Sequence, residues 1–160
     1  MVLSKSFGYA LRGILYVALM KDENRNIRLD EMAHALRIPR HFLGKIMKGV
    51  VKAGILDSSR GQQGGFFIHD KTLSTPLVKI ILLTEGATYF NTCLLSLRKC
   101  NSKNPCPLHH KVDAYKEGLM KIYKETSVGD LLNPDKKEFI QSIAGVIDDQ
   151  SSGHRTSVPT

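Results

Sequence analysis

Residues 37–67 read RIPRHFLGKIMKGVVKAGILDSSRGQQGGFF, and their pattern decides the fold. Arg37-Ile38-Pro39 is a turn, and Pro39 can open a helix because proline is tolerated in a first turn. That helix is expected over about Pro39 to Ala53. Phe42, Leu43, Ile46, Met47, Val50 and Val51 recur at helical spacing and are expected to form a buried stripe. His41, Lys45, Lys48 and Lys52 follow at spacings of four, three and four on another face. Gly44 and Gly49 each weaken a helix by about 1 kcal/mol relative to alanine, and their missing side chains would let another backbone approach closely. Gly54 is expected to cap the helix end. Ile55–Ser59 and Phe66–His69 read as two short strands. Arg60-Gly61-Gln62-Gln63-Gly64-Gly65 joins them as a flexible hairpin tip.

Upstream, Phe7, Leu11, Ile14, Leu15 and Ala18 make one apolar face of a first helix from about Ser4 to Met20. A polar break follows. A short helix is then expected over Leu29 to Leu36, with Asp30 and Glu31 in its first turn, where the helix dipole favours acids. Short helix, turn, basic amphipathic helix and hairpin form the order of a winged helix-turn-helix. Downstream, Pro76 can open a fourth helix through Leu77, Ile80, Ile81 and Leu83 that ends at Gly86. A further helix of roughly 19 residues, about 28 Å long, is expected over Pro107 to Glu125. Its apolar positions Leu108, Val112, Tyr115, Leu119 and Ile122 alternate by four and three, a coiled-coil seam that suggests pairing with a second copy. Phe139, Ile140, Ile143, Val146 and Ile147 suggest a last, weak helix. The fold class expected is mainly α with a small β-hairpin wing. The organisation expected is a DNA-binding domain over 1–90, a cysteine-bearing loop over 91–107, a dimerisation helix with a C-terminal helical segment over 108–147, and a disordered tail over 148–160.

Composition narrows the function. Of 160 residues 42% are apolar, which excludes wholesale disorder. No stretch reaches the roughly 20 apolar residues of a membrane helix. Gly13–Met20 is too short, and no small-residue cleavage site follows it, so a cytoplasmic chain without a secretory signal is expected. The net charge is +8, and residues 1–60 hold 11 basic and 5 acidic side chains, giving +6 of it. No acid lies between Met32 and Leu56. A basic patch of this kind suggests a polyanion partner. Lys45, Lys48 and Lys52 can neutralise phosphates. Arg40 and His41, at the helix N-terminus, are placed to reach base edges. Arg60, Gly61, Gln62 and Gln63 form a tip suited to the minor groove or flanking backbone.

Cys93, Cys100 and Cys106 lie within 14 residues, and such an odd cluster argues for a metal or redox role rather than a disulfide framework. Soft thiolates suit an iron–sulfur cluster, zinc or Cu(I). No acid lies between Glu85 and Asp113, and Arg98, Lys99, Lys103 and Lys111 favour the thiolates. An oxidant-sensing set of thiols with no metal is a third reading. No Ser/His/Asp order, phosphate loop or paired carboxylates accompany them, so an enzyme is not expected.

Ser4-Lys5, Tyr9-Ala10-Leu11-Arg12, the helix-turn-helix, the wing 60–66 and the cysteine triplet together resemble the Rrf-two (Rrf2) family of bacterial winged-helix transcription regulators. The resemblance spans about Val2 to Leu132. It implies a homodimer built on the long helix that binds a palindromic double-stranded DNA site. In the family's sensor branches three cysteines before the long helix hold an iron–sulfur cluster, here most simply [2Fe–2S], whose state changes DNA affinity. One branch takes as fourth ligand a histidine three residues after the last cysteine, the place of His109, and the same four residues would also suit structural zinc. His110 is assigned instead to the surface or a dimer contact. Another branch can use an acid in the first helix where Gly8 stands, and Gly8 cannot ligate. Family members often read bases with a glutamate where Gly44 stands, so the operator sequence does not transfer.

Overall fold

The computed structural model describes residues 3–93, 95, 103–132 and 135–144. Helix α1 spans Lys5–Leu19, and the Ser4 hydroxyl caps it by accepting the Phe7 N–H at 3.3 Å. Its Ala10, Ile14 and Ala18 are fully buried. Helix α2, Leu29–Leu36, contributes Met32 and Leu36 to the same core. Helix α3, Arg40–Lys52, contributes Leu43, Met47 and Val50, all at 0% exposure. A Cβ on Gly13 would come within 2.6 Å of Met47 Sδ, so the bare glycine lets α1 and α3 cross closely.

The end of α3 is a Schellman motif. Gly54 takes φ +66° and donates its N–H to Val51 O, while the Ile55 N–H bonds Val50 O. Val50 and Ile55 are both fully buried, which supplies the apolar contact that accompanies this cap. Strands β1, Asp57–Ser59, and β2, Gly65–Phe67, pair antiparallel with Ser58 opposite Phe66. The hairpin is shorter than its apolar runs imply, because Ile55 and Leu56 sink into the core before pairing begins. Ile27 adds a third rung by exchanging both backbone hydrogen bonds with Phe66, at 2.9 and 2.8 Å. A side chain on Gly65 would strike Ile27 O at 2.5 Å, so only glycine permits that approach.

Helix α4, Leu77–Glu85, packs its buried Leu77, Ile80 and Ile81 against α1. Helix α5, His109–Glu125, begins after Leu108 and contains no buried residue. Its C-terminal end is fixed to the chain entering α4: Leu77 N–H bonds Thr126 O, Val128 N–H bonds Thr75 O and Gly129 N–H bonds Leu73 O, at 2.8–2.9 Å. Helix α6, Lys136–Ala144, packs on α1 and α2. The expected tail from 148 lies outside the described residues. Among the described residues no helix is long and apolar enough to cross a membrane.

One expectation fails inside α3. Phe42 is not part of the buried stripe; it is 52% exposed, and Ile46 and Val51 are only half-buried. The buried arc of the helix is narrow and is filled by Leu43, Met47 and Val50 alone.

Candidate functional site

A basic surface lies on α3 and the wing beside it. His41, Lys45, Lys48 and Lys52 are all exposed, on the side of α3 opposite Leu43, Met47 and Val50. With the core stripe facing inward, 3.6 residues per turn leaves them no other side to occupy. A groove of about 390 Å³ lined by Lys48, Val51, Lys52, Ser58, Ser59, Gly65 and Phe66 separates α3 from the wing. Arg40 behaves differently from the other cations. Its Nε is ion-paired with the Asp30 carboxylate of α2, and both side chains are exposed. An exposed pair of this kind is worth about 0–1 kcal/mol and yields readily to a stronger anion.

Arg60, Gly61, Gln62 and Gln63 are exposed at the wing tip. The tip is held from below. Asn26 donates its amide to Gln63 O at 2.8 Å and to Ser59 Oγ at 3.0 Å, and Arg28 Nη1 donates to Gln62 O at 3.1 Å. Sequence reasoning missed both residues, since polar side chains in a loop carry no signal of what they pin. A clamp steadies α2 behind this surface. Arg25 donates two hydrogen bonds to Glu31, each 2.7 Å, and Tyr16 donates a third at 3.2 Å. The Arg25 hydrogen bond holds the Glu31 carboxyl below its ordinary value despite partial burial. Burial first, and the Glu31 charge second, push the Tyr16 phenol up to about 12.

The cysteine-bearing loop joins α4 to α5. Cys93 Sγ and Cys106 Sγ lie 3.7 Å apart, with Cys106 buried. The Cys93 thiol donates to Cys106 Sγ at this separation, which is close to the roughly 3.8 Å that two sulfurs bound to one tetrahedral metal at about 2.3 Å would span. Lys116 of α5 donates to Thr92 O at 2.6 Å and holds the Cys93 side of the loop against the helix. Cys100 lies outside the described residues. His109 stands in the first turn of α5 and donates its backbone N–H to Cys106 O at 2.9 Å. Its ring Nε2 is 3.9 Å from Asp113, and His110 packs edge-on against it at 5.4 Å. Among the described residues no three His, Cys, Asp or Glu side chains converge as a metal site. Two of the expected ligands are therefore together, and His109 is adjacent through the chain.

Arg12 is an unusual core residue. It is 6% exposed, its Nη1 donates to Ile143 O of α6 at 2.7 Å, and it lies 5.6 Å from the Tyr9 ring. Its Nε and Nη2 have no hydrogen-bond partner among the described residues.

Comparison with known proteins agrees with this architecture. The family model described as Rrf2, iron-dependent transcriptional regulator, matches residues 3–134. A protein of Aquifex aeolicus, provisionally described as an HTH-type transcriptional regulator, is 34% identical over 141 residues, covering 87% of this chain and 96% of that one. The transcriptional regulator NsrR of Geobacillus kaustophilus is 24% identical, covering 78% and 84%. Among solved structures, CymR, the global cysteine regulator of B. subtilis, superposes with a TM-score of 0.68 at 18% identity, over 82% of this chain and 95% of that one. IscR of T. potens gives 0.62 at 19% identity, over 81% and 85%. At these identities the structural likeness bears on the fold alone.

Proposed function

Because the chain belongs to the Rrf2 family of transcription regulators, we propose that it works as a cytoplasmic homodimer that binds a palindromic DNA site through α3 and the wing. In this reading an iron–sulfur cluster on Cys93, Cys100 and Cys106 adjusts the binding. The family makes the chain a DNA-binding transcription regulator rather than an enzyme. The observation that carries the DNA reading is the exposed row His41, Lys45, Lys48 and Lys52, set back to back with a fully buried stripe. Lysines there neutralise phosphates, and His41 at the helix start reaches base edges. Arg60 and the two glutamines follow the backbone or minor groove beside it. The dimer reading is supported by α5, whose Tyr115 and Ile122 are 65% and 57% exposed on an apolar seam. Pairing of two such helices would set the recognition helices about 34 Å apart, or a small multiple of that.

The metal reading rests on the three cysteines, two of which the fold brings side by side, Cys93 and Cys106, with Cys100 as third ligand and His109 as candidate fourth. When bound, an iron–sulfur cluster, most simply [2Fe–2S], supplies a group that responds to oxidants or nitric oxide. The chain's part is mechanical. Ligation would fix residues 93–106 between α4 and α5, and both helices are tied to the DNA-binding domain, so gain or loss of the metal can alter the spacing of the two recognition helices.

The test is selection from a random DNA library with anaerobically purified protein, together with metal and sulfide analysis. An enriched palindrome, with iron and acid-labile sulfide in a coloured protein, is the expected result. Folded protein that enriches no motif overturns the DNA reading. Stoichiometric zinc in colourless protein replaces the cluster with a structural site, and metal-free protein that cannot be reconstituted leaves a thiol sensor.

A further inference from the structure

The exposure of Phe42 is the feature of the recognition surface that its sequence does not foretell. A single exposed phenyl means little on an ordinary surface. This one stands in the first turn of α3, whose large apolar side chains facing the core are all settled there. Leu43, Met47 and Val50 are fully buried. The His41 ring packs on the Phe42 ring, with centroids 4.0 Å apart. On the helical wheel Phe42 falls about 90° from the centre of the basic face, between it and the core. Helical side chains lean toward the N-terminus of their helix, so this ring overhangs the end that enters a major groove in helix-turn-helix proteins.

The neighbouring positions leave that end sparsely furnished. Arg40 is drawn back onto Asp30 of α2. Gly44 has no side chain, and a Cβ there would meet Leu29 Cδ2 at 2.9 Å. While Arg40 is paired with Asp30, His41 and Phe42 are the exposed side chains of the first turn that face outward toward base edges. An apolar ring has one specific partner in the major groove, the C5 methyl group of thymine.

We infer that Phe42 is a specificity-determining residue that packs its exposed ring on a thymine methyl group, with His41 holding the ring in place. The inference rests on the DNA-binding reading above. It implies a thymine in each half-site that no hydrogen-bond count would single out.

The experiment replaces each thymine of the selected site in turn by deoxyuridine, which removes only the methyl group. Wild-type and Phe42→Ala proteins are titrated against every duplex. At one thymine per half-site the wild type is expected to lose roughly fourfold in affinity, the equivalent of one buried methyl group. Phe42→Ala should bind both duplexes alike at that position while responding normally to a change at a position it does not touch. Phe42→Leu, which keeps an apolar contact, should retain part of the discrimination. Circular dichroism of both variants should match the wild type, since the ring is outside the core. A wild type that selects a site but ignores every methyl, or a Phe42→Ala protein that keeps the full uracil penalty, overturns the inference alone. A wild type that selects no site overturns the DNA-binding reading and takes this inference with it.

Discussion

Helices α3 and α5 are of similar length and both amphipathic, yet they end in opposite states. The centre of the apolar stripe of α3, Leu43, Met47 and Val50, is completely buried within its own chain. The apolar seam of α5 is only partly covered, with Leu108, Tyr115 and Ile122 exposed, and no residue of that helix is buried. Burial of a side chain such as leucine or methionine stabilises by about 1.5–3 kcal/mol, so α3 is held by its own domain. Helix α5 is held by the partly buried Met120 and Tyr123, which pack against the core, and at its C-terminal end by the backbone bonds from Thr126–Gly129 to Leu73–Leu77. One helix is part of a finished core. The other is half of a surface that a second copy can complete.

Substitutions on the two stripes should therefore fail in different ways. Met47→Ala would leave a cavity among Gly13, Met32 and Leu43 and should destabilise the fold by about 2–5 kcal/mol, read by chemical denaturation at fixed protein concentration. Ile122→Lys should do the reverse. Its side chain is exposed in the single chain, so folding stability should change by no more than about 0.5 kcal/mol. Light scattering should report a monomer in place of a dimer, and operator affinity should fall by about a hundredfold or more as the second half-site becomes an independent binding event. A variant that unfolds instead would show that α5 belongs to the domain core, and the contrast between the helices would be lost.

The contrast also explains how far the sequence could be read. Helix α2 begins and ends where its pattern indicates, and α3 and α4 do so to within one residue, because caps, prolines and periodicity are local signals. Phe42 deceived because an apolar residue at a helical interval looks the same whether it faces a core or a groove. The pattern fixes the period of a stripe but not the width of the buried arc. The Ile27–Phe66 bridge spans 39 positions and rests on one apolar residue in a polar stretch, so nothing local announces it. The pins from Asn26 and Arg28 to the wing were hidden for the same reason. At the cysteines the sequence supplied residue types and spacing, while the approach of Cys93 to Cys106 depends on how α4 and α5 meet.

A smaller effect is expected where the two faces of the head are braced. Glu31 is hydrogen-bonded by Arg25 and Tyr16, and its carboxyl is held below the ordinary value. A depressed folded value means that the carboxylate stabilises the fold above the unfolded value and loses that contribution as pH falls through the folded one. Glu31→Gln should destabilise by about 1 kcal/mol at pH 7, since the partly exposed clamp is screened by solvent. The gap between wild type and variant should stay constant above about pH 5 and close on further acidification. Thermal unfolding across that range checks it, and a gap that persists in acid would assign the loss to packing.

A stability change as small as that of Ile122→Lys, with the smallest effect on binding, belongs to Asp30. Its carboxylate holds Arg40 on the α2 side of the recognition surface, with both groups exposed. Asp30→Asn keeps the shape and removes the charge. Stability should shift by less than about 0.5 kcal/mol, from a weak surface pair and a lost dipole interaction in the first turn of α2. DNA binding should respond more clearly. The variant has one acid fewer beside the phosphates and an arginine free to approach them, so affinity at low salt should rise. If Arg40 then gains a phosphate contact, the slope of log affinity against log salt steepens by about one unit. If Arg40 already leaves Asp30 for DNA in the wild-type complex, the slope is unchanged and only the affinity rises, because the cost of breaking the pair is gone. Titrations at four or five salt concentrations separate these outcomes. Unchanged affinity at every salt concentration would place Arg40 outside the interface and leave the first turn of α3 to His41 and Phe42.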